Sequence, residues 1–304
     1  MRTTRRSLAA EQNRTAYLFL LPWLIGFFML TAGPMLGSLY LSLTEYKLLT
    51  PPTWIGLDNY IRIFTDDSTF TGSLWLTFKY VFISVPLRLV FALLVAMALN
   101  RGIRALGIYR TVYYVPSLLG GSVAIAIVWR QIFAGDGVVN DFLGWFGITA
   151  PSWISHPDYI IYTIITLSVW QFGSAMVIFL AGLKQIPADL YEASQIDGAG
   201  KLRQFFRITL PMLSPVIFFN LIMSIINSFQ AFTPAFVIGD GRGGPLDATM
   251  FYTLYLYLKG FSFFDMGYAA ALAWIMLIII GLFTAIVFAT SRYWVFYGDE
   301  KGGK

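Results

Sequence analysis

Residues 187–215 read Pro-Ala-Asp-Leu-Tyr-Glu-Ala-Ser-Gln-Ile-Asp-Gly-Ala-Gly-Lys-Leu-Arg-Gln-Phe-Phe-Arg-Ile-Thr-Leu-Pro-Met-Leu-Ser-Pro, a polar island between two apolar stretches each long enough to cross a bilayer. Pro187 suits the first turn of a helix, where its missing N–H would have no partner anyway, and Asp189 and Glu192 place negative charge near that helix's positive end. The pattern predicts a short helix over about 188–197. Gly198 can take positive φ and reverse the chain, after which Leu202, Phe205 and Phe206 predict the apolar face of a second short helix. Pro211 then opens the next span, and small Ala193, Ser194 and Ala199 would let another protein surface approach closely. An ordinary amphipathic connector would share these local features.

Working outward, the flanking composition is that of a membrane protein. A chain of 304 residues that is 57% hydrophobic, 17% aromatic and only 12% charged cannot hide its apolar side chains in one water-soluble core. Apolar stretches fall at about 17–43, 74–99, 109–133, 159–183, 212–238 and 267–290, predicting six transmembrane helices in a single all-α membrane domain. Gly33-Pro34, Pro86, Pro116 and Gly120-Gly121 would argue against helices in water. In lipid, unsatisfied backbone groups cost too much for irregular alternatives, so kinked helices are expected.

The net charge of +5 is topological. Arg2, Arg5, Arg6 and Arg14 precede the first span, Arg101, Arg104 and Arg110 lie between the second and third, Lys184, Lys201, Arg203 and Arg207 sit in the island, and Arg292, Lys301 and Lys304 follow the last. These fourteen face only Lys47, Arg62, Arg242 and Lys259 on the other side, which predicts a multi-pass protein with both termini, the tail 1–16 included, and the island in the cytoplasm. A nucleic-acid reading would need the cations on a soluble face with interleaved aromatics, and no such domain fits. The absence of cysteine excludes a disulfide framework and thiolate metal sites. His156, the only histidine, precedes Pro157 in an external loop and reads as a solvated side chain, so no metal site is expected. The basic start resembles a signal peptide, but the apolar run continues too far, predicting an uncleaved first helix.

The external segment 45–73 holds Leu57, Tyr60, Ile61 and Phe64 at helical spacing, predicting a short amphipathic helix at the outer interface. The second external loop, 134–158, carries Trp145, Phe146 and Trp153 as candidate interfacial anchors. The third, 239–266, opens Gly-Asp-Gly-Arg-Gly-Gly-Pro, yet no Gly-Lys-Ser/Thr ending follows, so this chain is not expected to bind ATP itself.

The island resembles the Glu-Ala-Ala loop of ABC importer permeases, whose usual form is Glu-Ala-Ala, two residues, Asp-Gly-Ala, a gap, Phe, two residues, Ile, one residue, Leu-Pro. The match runs through Glu192, Ala193, Asp197, Gly198, Ala199, Phe205, Ile208, Leu210 and Pro211, with Ser194 in place of the second Ala. The resemblance implies a cytoplasmic coupling helix-turn-helix between helices four and five. There Glu192, Ala193, Ser194, Asp197, Gly198, Ala199 and Gly200 dock on a separate ATPase subunit, which binds the ATP and magnesium. It extends over nearly the whole chain through Leu-Leu-Pro-Trp-Leu-Ile-Gly-Phe at 20–27, Gly33-Pro34, Trp-Ile-Gly-Leu-Asp-Asn-Tyr at 54–60, Gly-Gly-Pro at 243–245 and Met-Gly-Tyr-Ala-Ala at 266–270. These patterns look like the first of two permeases in carbohydrate importers. By that resemblance the chain is not an enzyme. It would work in the bacterial inner membrane as a heterodimer with a second permease, fed by an extracytoplasmic sugar-binding protein and driven by alternating access. An importer of another solute, such as an amino acid or phosphate, stays open. A self-sufficient secondary transporter would call for an inverted repeat and intramembrane carboxylates, and neither is visible. A membrane enzyme would show clustered His, Asp or Glu near one interface, and none is seen.

Candidate pathway residues come from polar groups inside spans, which are expensive unless they find partners or line a wet cavity. Asn220, Ser224 and Asn227 share one face of helix five, with Gln230 at its edge and Phe229 and Phe232 nearby, a set suited to sugar hydroxyls. Trp170, Gln171 and Ser174 form a second set in helix four. Helix-helix hydrogen bonding is the alternative for each. Lys79, Arg88 and Arg130 fall within spans that contain no Asp or Glu. Lys79 and Arg130 are near span ends and can snorkel. Arg88, just after Pro86, either faces the pathway and accepts an acidic sugar or pairs with backbone carbonyls or an acid of the partner permease.

Overall fold

The computed structural model describes residues 16–100 and 106–296. The predicted tail and the cations at Arg2, Arg5, Arg6, Arg14, Arg101, Arg104, Lys301 and Lys304 lie outside the described residues. In chain order the helices are α1 (Ala16–Ser42), α2 (Asp58–Thr65), α3 (Ser68–Leu99), α4 (Leu106–Leu119), α5 (Val123–Ile132), α6 (Val138–Gly144), α7 (Pro157–Trp170), α8 (Gly173–Gln185), α9 (Ala188–Ile196), α10 (Lys201–Gln204), α11 (Leu210–Phe229), α12 (Thr233–Ile238), α13 (Tyr252–Tyr257) and α14 (Met266–Trp294). Two strands, β1 (Thr44–Glu45) and β2 (Thr53–Trp54), pair antiparallel with Thr44 opposite Trp54.

Among the described residues, four helical stretches are long and apolar enough to span a bilayer: Ala16–Ser42, Ser68–Leu99, Lys201–Ile238 and Met266–Trp294. Two bent pairs, α4 with α5 and α7 with α8, bring the number to six, with bends of 100° and 41°. Hydropathy marks where a stretch is apolar, and the helices overrun those limits. The second begins at Ser68 rather than 74, the fourth runs 157–185 around its break, the fifth is helical from Lys201, and the sixth continues to Trp294. The third is not one continuous rod over 109–133, because it breaks at Gly120-Gly121, while Pro116 lies within α4.

The described chain divides into two compact units. The first combines residues up to Asp66 with Tyr257–Met276. Within it α1 carries a π-turn at Phe28–Ala32, where Gly33 N–H donates to Phe28 O ahead of Pro34. A Cβ at Gly33 would lie 2.9 Å from that oxygen, so glycine permits the turn. Asn59, on α2, is 5% exposed, and its Nδ2 donates to Ser42 O and Thr44 O at 3.0 and 2.9 Å, tying α2 to the hairpin. The same helix buries Ile63 and leaves Leu57, Ile61 and Phe64 exposed on the other side, the disposition expected of a helix lying on a lipid surface. Arg62 stacks 4.6 Å from the Tyr268 ring and pairs with Asp265 at 3.7 Å.

The second unit comprises Asp67–Leu256 and the chain from Leu277 onward. Here α3 is the central element, packed by α7, α8 and α11. Fully buried Ala92 and Ala96 let neighbours approach α3 closely, and Gly182 does the same where α8 meets α11. Asp67 caps α3 by accepting from Phe70 N–H at 2.9 Å and also accepts from the Tyr255 hydroxyl. Thr77 Oγ1 accepts from Tyr252 N–H, so α13, a helix the glycine-rich loop did not foretell, is pinned against α3. Large apolar side chains such as Trp75, Phe82, Val90 and Ile278 point outward, as lipid-facing surfaces require. His156 is not merely solvated: its Nδ1 accepts from Asp158 N–H and caps α7.

Candidate functional site

Three helix interruptions in the second unit meet at one cavity of about 240 Å³. The first is Gly120-Gly121 between α4 and α5, the second Gln171-Phe172 between α7 and α8, the third 230–232 between α11 and α12. A broken helix frees backbone groups that lipid cannot satisfy, so the breaks need partners or a wet surface. The first two breaks supply partners for each other. Ser117 Oγ donates to Gln171 O at 2.9 Å and accepts from Ser174 N–H at 2.9 Å, while Gln171 Nε2 donates to Gly120 O at 2.9 Å. A side chain at Gly120 would collide with Gln171, and one at Gly173 would come within 2.9 Å of Ser117 Oγ. At the third break, Thr253 Oγ1 donates to Ala231 O at 2.6 Å.

Tyr80 and Arg88 of α3, Ser168 of α7, Gln171, Asn227 and Gln230 give the cavity its polar lining, and Phe232 adds an aromatic wall. Tyr80, Ser84 and Arg88 are spaced by four residues and share one face of α3. Arg88 Nε is buried without a hydrogen-bond partner among the described residues. Of the residues expected from sequence, Arg88, Gln171, Asn227 and Gln230 come together here. Asn220 and Ser224 are buried on α11 but do not line the cavity, and Asn220 Nδ2 has no partner among the described residues. Trp170 also stays outside, its ring 5.5 Å from Trp129, and Ser174 spends its N–H on Ser117. Tyr80 and Ser168, which line the cavity, were missed, as was Ser84 between Tyr80 and Arg88 on the same face of α3. The four-residue spacing of Tyr80 and Ser84 with Arg88 was the available signal.

Lys79 and Arg130 find local partners, whereas Arg110 Nε on α4 is, like Arg88 Nε, buried without a hydrogen-bond partner among the described residues. Lys79 Nζ lies 5.6 Å from the Tyr162 ring, and Arg130 forms two contacts with Asp240, at 2.5 and 3.0 Å.

The polar island folds as α9, a reversal at Gly198 with φ of 74°, then α10 running through a π-turn at Phe205–Thr209 into α11. Pro187 precedes α9 as its cap, and Asp197 terminates it. Between Pro211 and Pro215, which each remove a backbone donor, Ser214 Oγ donates to Pro211 O at 2.6 Å. Of the expected apolar face of Leu202, Phe205 and Phe206, the first and last lie on the outside and Phe205 is half-buried. Leu202 and Phe206 are 73% and 56% exposed, and the face turned toward α9 is polar. Gln204 Nε2 donates to Ser194 Oγ at 2.8 Å and Tyr191 O at 3.3 Å, Ser194 Oγ donates to Tyr191 O at 2.8 Å, and the Tyr191 and Thr209 hydroxyls bond at 2.8 Å. These bonds fix the helix pair, which frees the apolar residues to face outward. Glu192, Ala193, Asp197, Gly198 and Gly200 are exposed, while Ser194 and Ala199 are half-buried beside a groove shared with Arg203 and Arg207. The arrangement presents a small-residue ridge with basic side chains next to it.

Comparison with known proteins agrees with this architecture. Residues 68–294 match the family model described as binding-protein-dependent transport system inner membrane component. The chain is 53% identical over 292 residues to the probable ABC transporter permease protein YesP of Bacillus subtilis (strain 168), covering 96% of this chain and 94% of that protein. It is 32% identical over 297 residues to the lactose transport system permease protein LacF of Rhizobium radiobacter, covering 95% and 98%. Its fold matches a chain in the crystal structure of a bacterial ABC transporter involved in the import of the acidic polysaccharide alginate, with a TM-score of 0.82, 22% identity and coverage of 95% and 98%. Interrupted membrane helices around a polar cavity and an exposed helix-turn-helix are thus found in a chain that belongs to the family of binding-protein-dependent transport system inner membrane components, the multi-pass permeases of ABC importers.

Proposed function

We propose that this permease forms half of the translocation pathway for a sugar or oligosaccharide. The observation that carries the reading is the cavity itself: three interrupted helices converge on amides, hydroxyls and aromatic rings, the groups that replace water around a sugar. Arg88, Gln171, Asn227 and Gln230 are the candidate substrate contacts, and Asn220, Ser224 and Trp170, outside the cavity, are candidates for other stretches of the pathway. The excess of basic residues on one side supports a cytoplasmic location for both termini and for the α9–α10 hairpin.

In the mechanism this reading entails, the ridge Glu192 to Gly200 docks on a separate ATPase subunit that binds ATP and magnesium. The Gln204 and Tyr191 bonds keep α9 and α10 together so that motion of the ridge reaches α11, which follows α10 through the π-turn and carries Asn227 to the cavity. A second permease supplies the other half of the pathway, and an extracytoplasmic binding protein delivers the sugar.

The test is affinity purification of the tagged chain from native membranes followed by mass spectrometry, comparing wild type with Gly198→Pro. Proline fixes φ near −65°, incompatible with the 74° found at Gly198. The wild type is expected to recover a second permease and an ATPase, and the variant to lose the ATPase while keeping the permease. Recovery of the chain alone overturns the reading. ATP-dependent uptake of amino acids but no sugars by the reconstituted complex overturns the cargo assignment alone.

A further inference from the structure

Arg88 carries a charge that the described residues do not answer. Its Nε is buried and without a hydrogen-bond partner, and none of the ion pairs formed among the described residues includes it. The shortage is built into the sequence. No Asp or Glu occurs between Asp67 and Asp136, between Asp158 and Asp189, or between Asp197 and Asp240, which takes in almost all of the helical chain around the cavity. Acids that border these stretches are otherwise engaged: Asp67 caps α3 and holds Tyr255, Asp240 pairs with Arg130, and Asp158 lies beside His156. A lone cation at membrane depth is costly unless it faces water or meets an anion. Arg88 does face a cavity, and its neighbours there are neutral: Tyr80, Ser168, Gln171 and Asn227.

We propose that Arg88 is a carboxylate-binding residue of the pathway, and that the cargo is an acidic oligosaccharide containing uronic acid units. This rests on the sugar-import reading and deepens it. A guanidinium presents its donors as a planar fork that a carboxylate matches with two parallel hydrogen bonds; Arg88 lines the cavity while its Nε is buried, so the edge formed by its two terminal nitrogens is the one that would meet the carboxylate. Gln171 Nε2 is committed to Gly120 O, so its carbonyl oxygen is the group that can accept a sugar hydroxyl. Asn227 offers both a donor and an acceptor to neighbouring hydroxyls. The cavity would therefore hold the carboxylate at α3 and the ring hydroxyls toward α7 and α11. No covalent step is involved.

The test uses the complete complex with its partner permease, ATPase and binding protein in proteoliposomes. The probes are uronate trisaccharides of mannuronate, guluronate, galacturonate and glucuronate, each beside its carboxyl-reduced neutral counterpart. Wild type is expected to take up at least one uronate at least tenfold faster than its neutral counterpart. Because the binding protein also selects cargo, affinity is measured separately on the permease pair in nanodiscs without it. There Arg88→Gln is expected to weaken uronate binding at least tenfold and change neutral trisaccharide binding less than twofold, with Arg88→Lys intermediate. An equal loss for both classes, or no loss, overturns the proposal. So does dissociation of the permease pair in Arg88→Gln, which would assign the residue to an acid of the partner. ATP-driven uptake of neutral oligosaccharides but of no uronate overturns it while leaving the sugar-import reading standing. Absence of uptake of any glycan by a complex that still contains the ATPase overturns both.

Discussion

The bond between Ser194 and Gln204 has no counterpart where the usual loop carries alanine, and its worth can be measured. Gln204 is 8% exposed, and its Nε2 reaches Ser194 Oγ at 2.8 Å and Tyr191 O at 3.3 Å. Gln204→Ala removes both bonds, roughly 1–3 kcal/mol at a net ~1 kcal/mol each with the spread of such values. Ser194→Ala removes the acceptor at 2.8 Å and the Ser194 donation to Tyr191 O, about 1–2 kcal/mol, but leaves Gln204 its weaker partner. Both single changes delete the same Ser194–Gln204 bond, so the double variant should lose about 1 kcal/mol less than the sum. Amide hydrogen exchange over residues 188–209 in nanodiscs is the assay, because it reports the free energy of local opening directly. A loss of about 1.4 kcal/mol accelerates exchange tenfold there. Additivity of the two single variants within about 0.5 kcal/mol would refute the claim that these side chains act as one latch.

Two further outcomes follow from packing. Gly182→Val should destabilise the solubilised protein by about 1–3 kcal/mol, since even a Cβ would sit 2.8 Å from Leu213 Cδ1 and 2.9 Å from the stiff Val216 Cγ2; thermal unfolding in detergent checks this, with Gly182→Ala the milder control. Asn59→Ala should cost roughly 2–3 kcal/mol, because two buried carbonyls lose their donor, and should release the hairpin at 44–54 to proteolysis.

Much of this was legible in the chain. The island at 187–215, flanked by apolar runs, predicted α9, the reversal at Gly198 and the continuation into the fifth span, since proline and glycine act locally there. The apolar runs predicted six spans because hydrocarbon leaves the backbone few alternatives. Long-range effects were not legible. Gly120-Gly121 signalled a kink, but not that Gln171, 51 residues away, would answer the freed carbonyl. Leu202 and Phe206 could be read as part of an apolar face, but the direction of that face could not; the Gln204 and Thr209 bonds to α9 leave it turned outward. The polar stripe of helix five was read as one set, yet only its Asn227 and Gln230 end reaches the cavity, where α11 breaks.

The reciprocal bonding of the first two breaks has an evolutionary consequence. Ser117, Gly120 and Gln171 each serve a backbone group or a clearance belonging to the other interruption. A lineage that moves one break by a single residue leaves a carbonyl orphaned in the opposite span, so the two positions are constrained to drift together. Chimeras built from related permeases should tolerate an exchange of the whole segment 117–174 better than an exchange of either span alone. The unit of inheritance here is a pair of flaws.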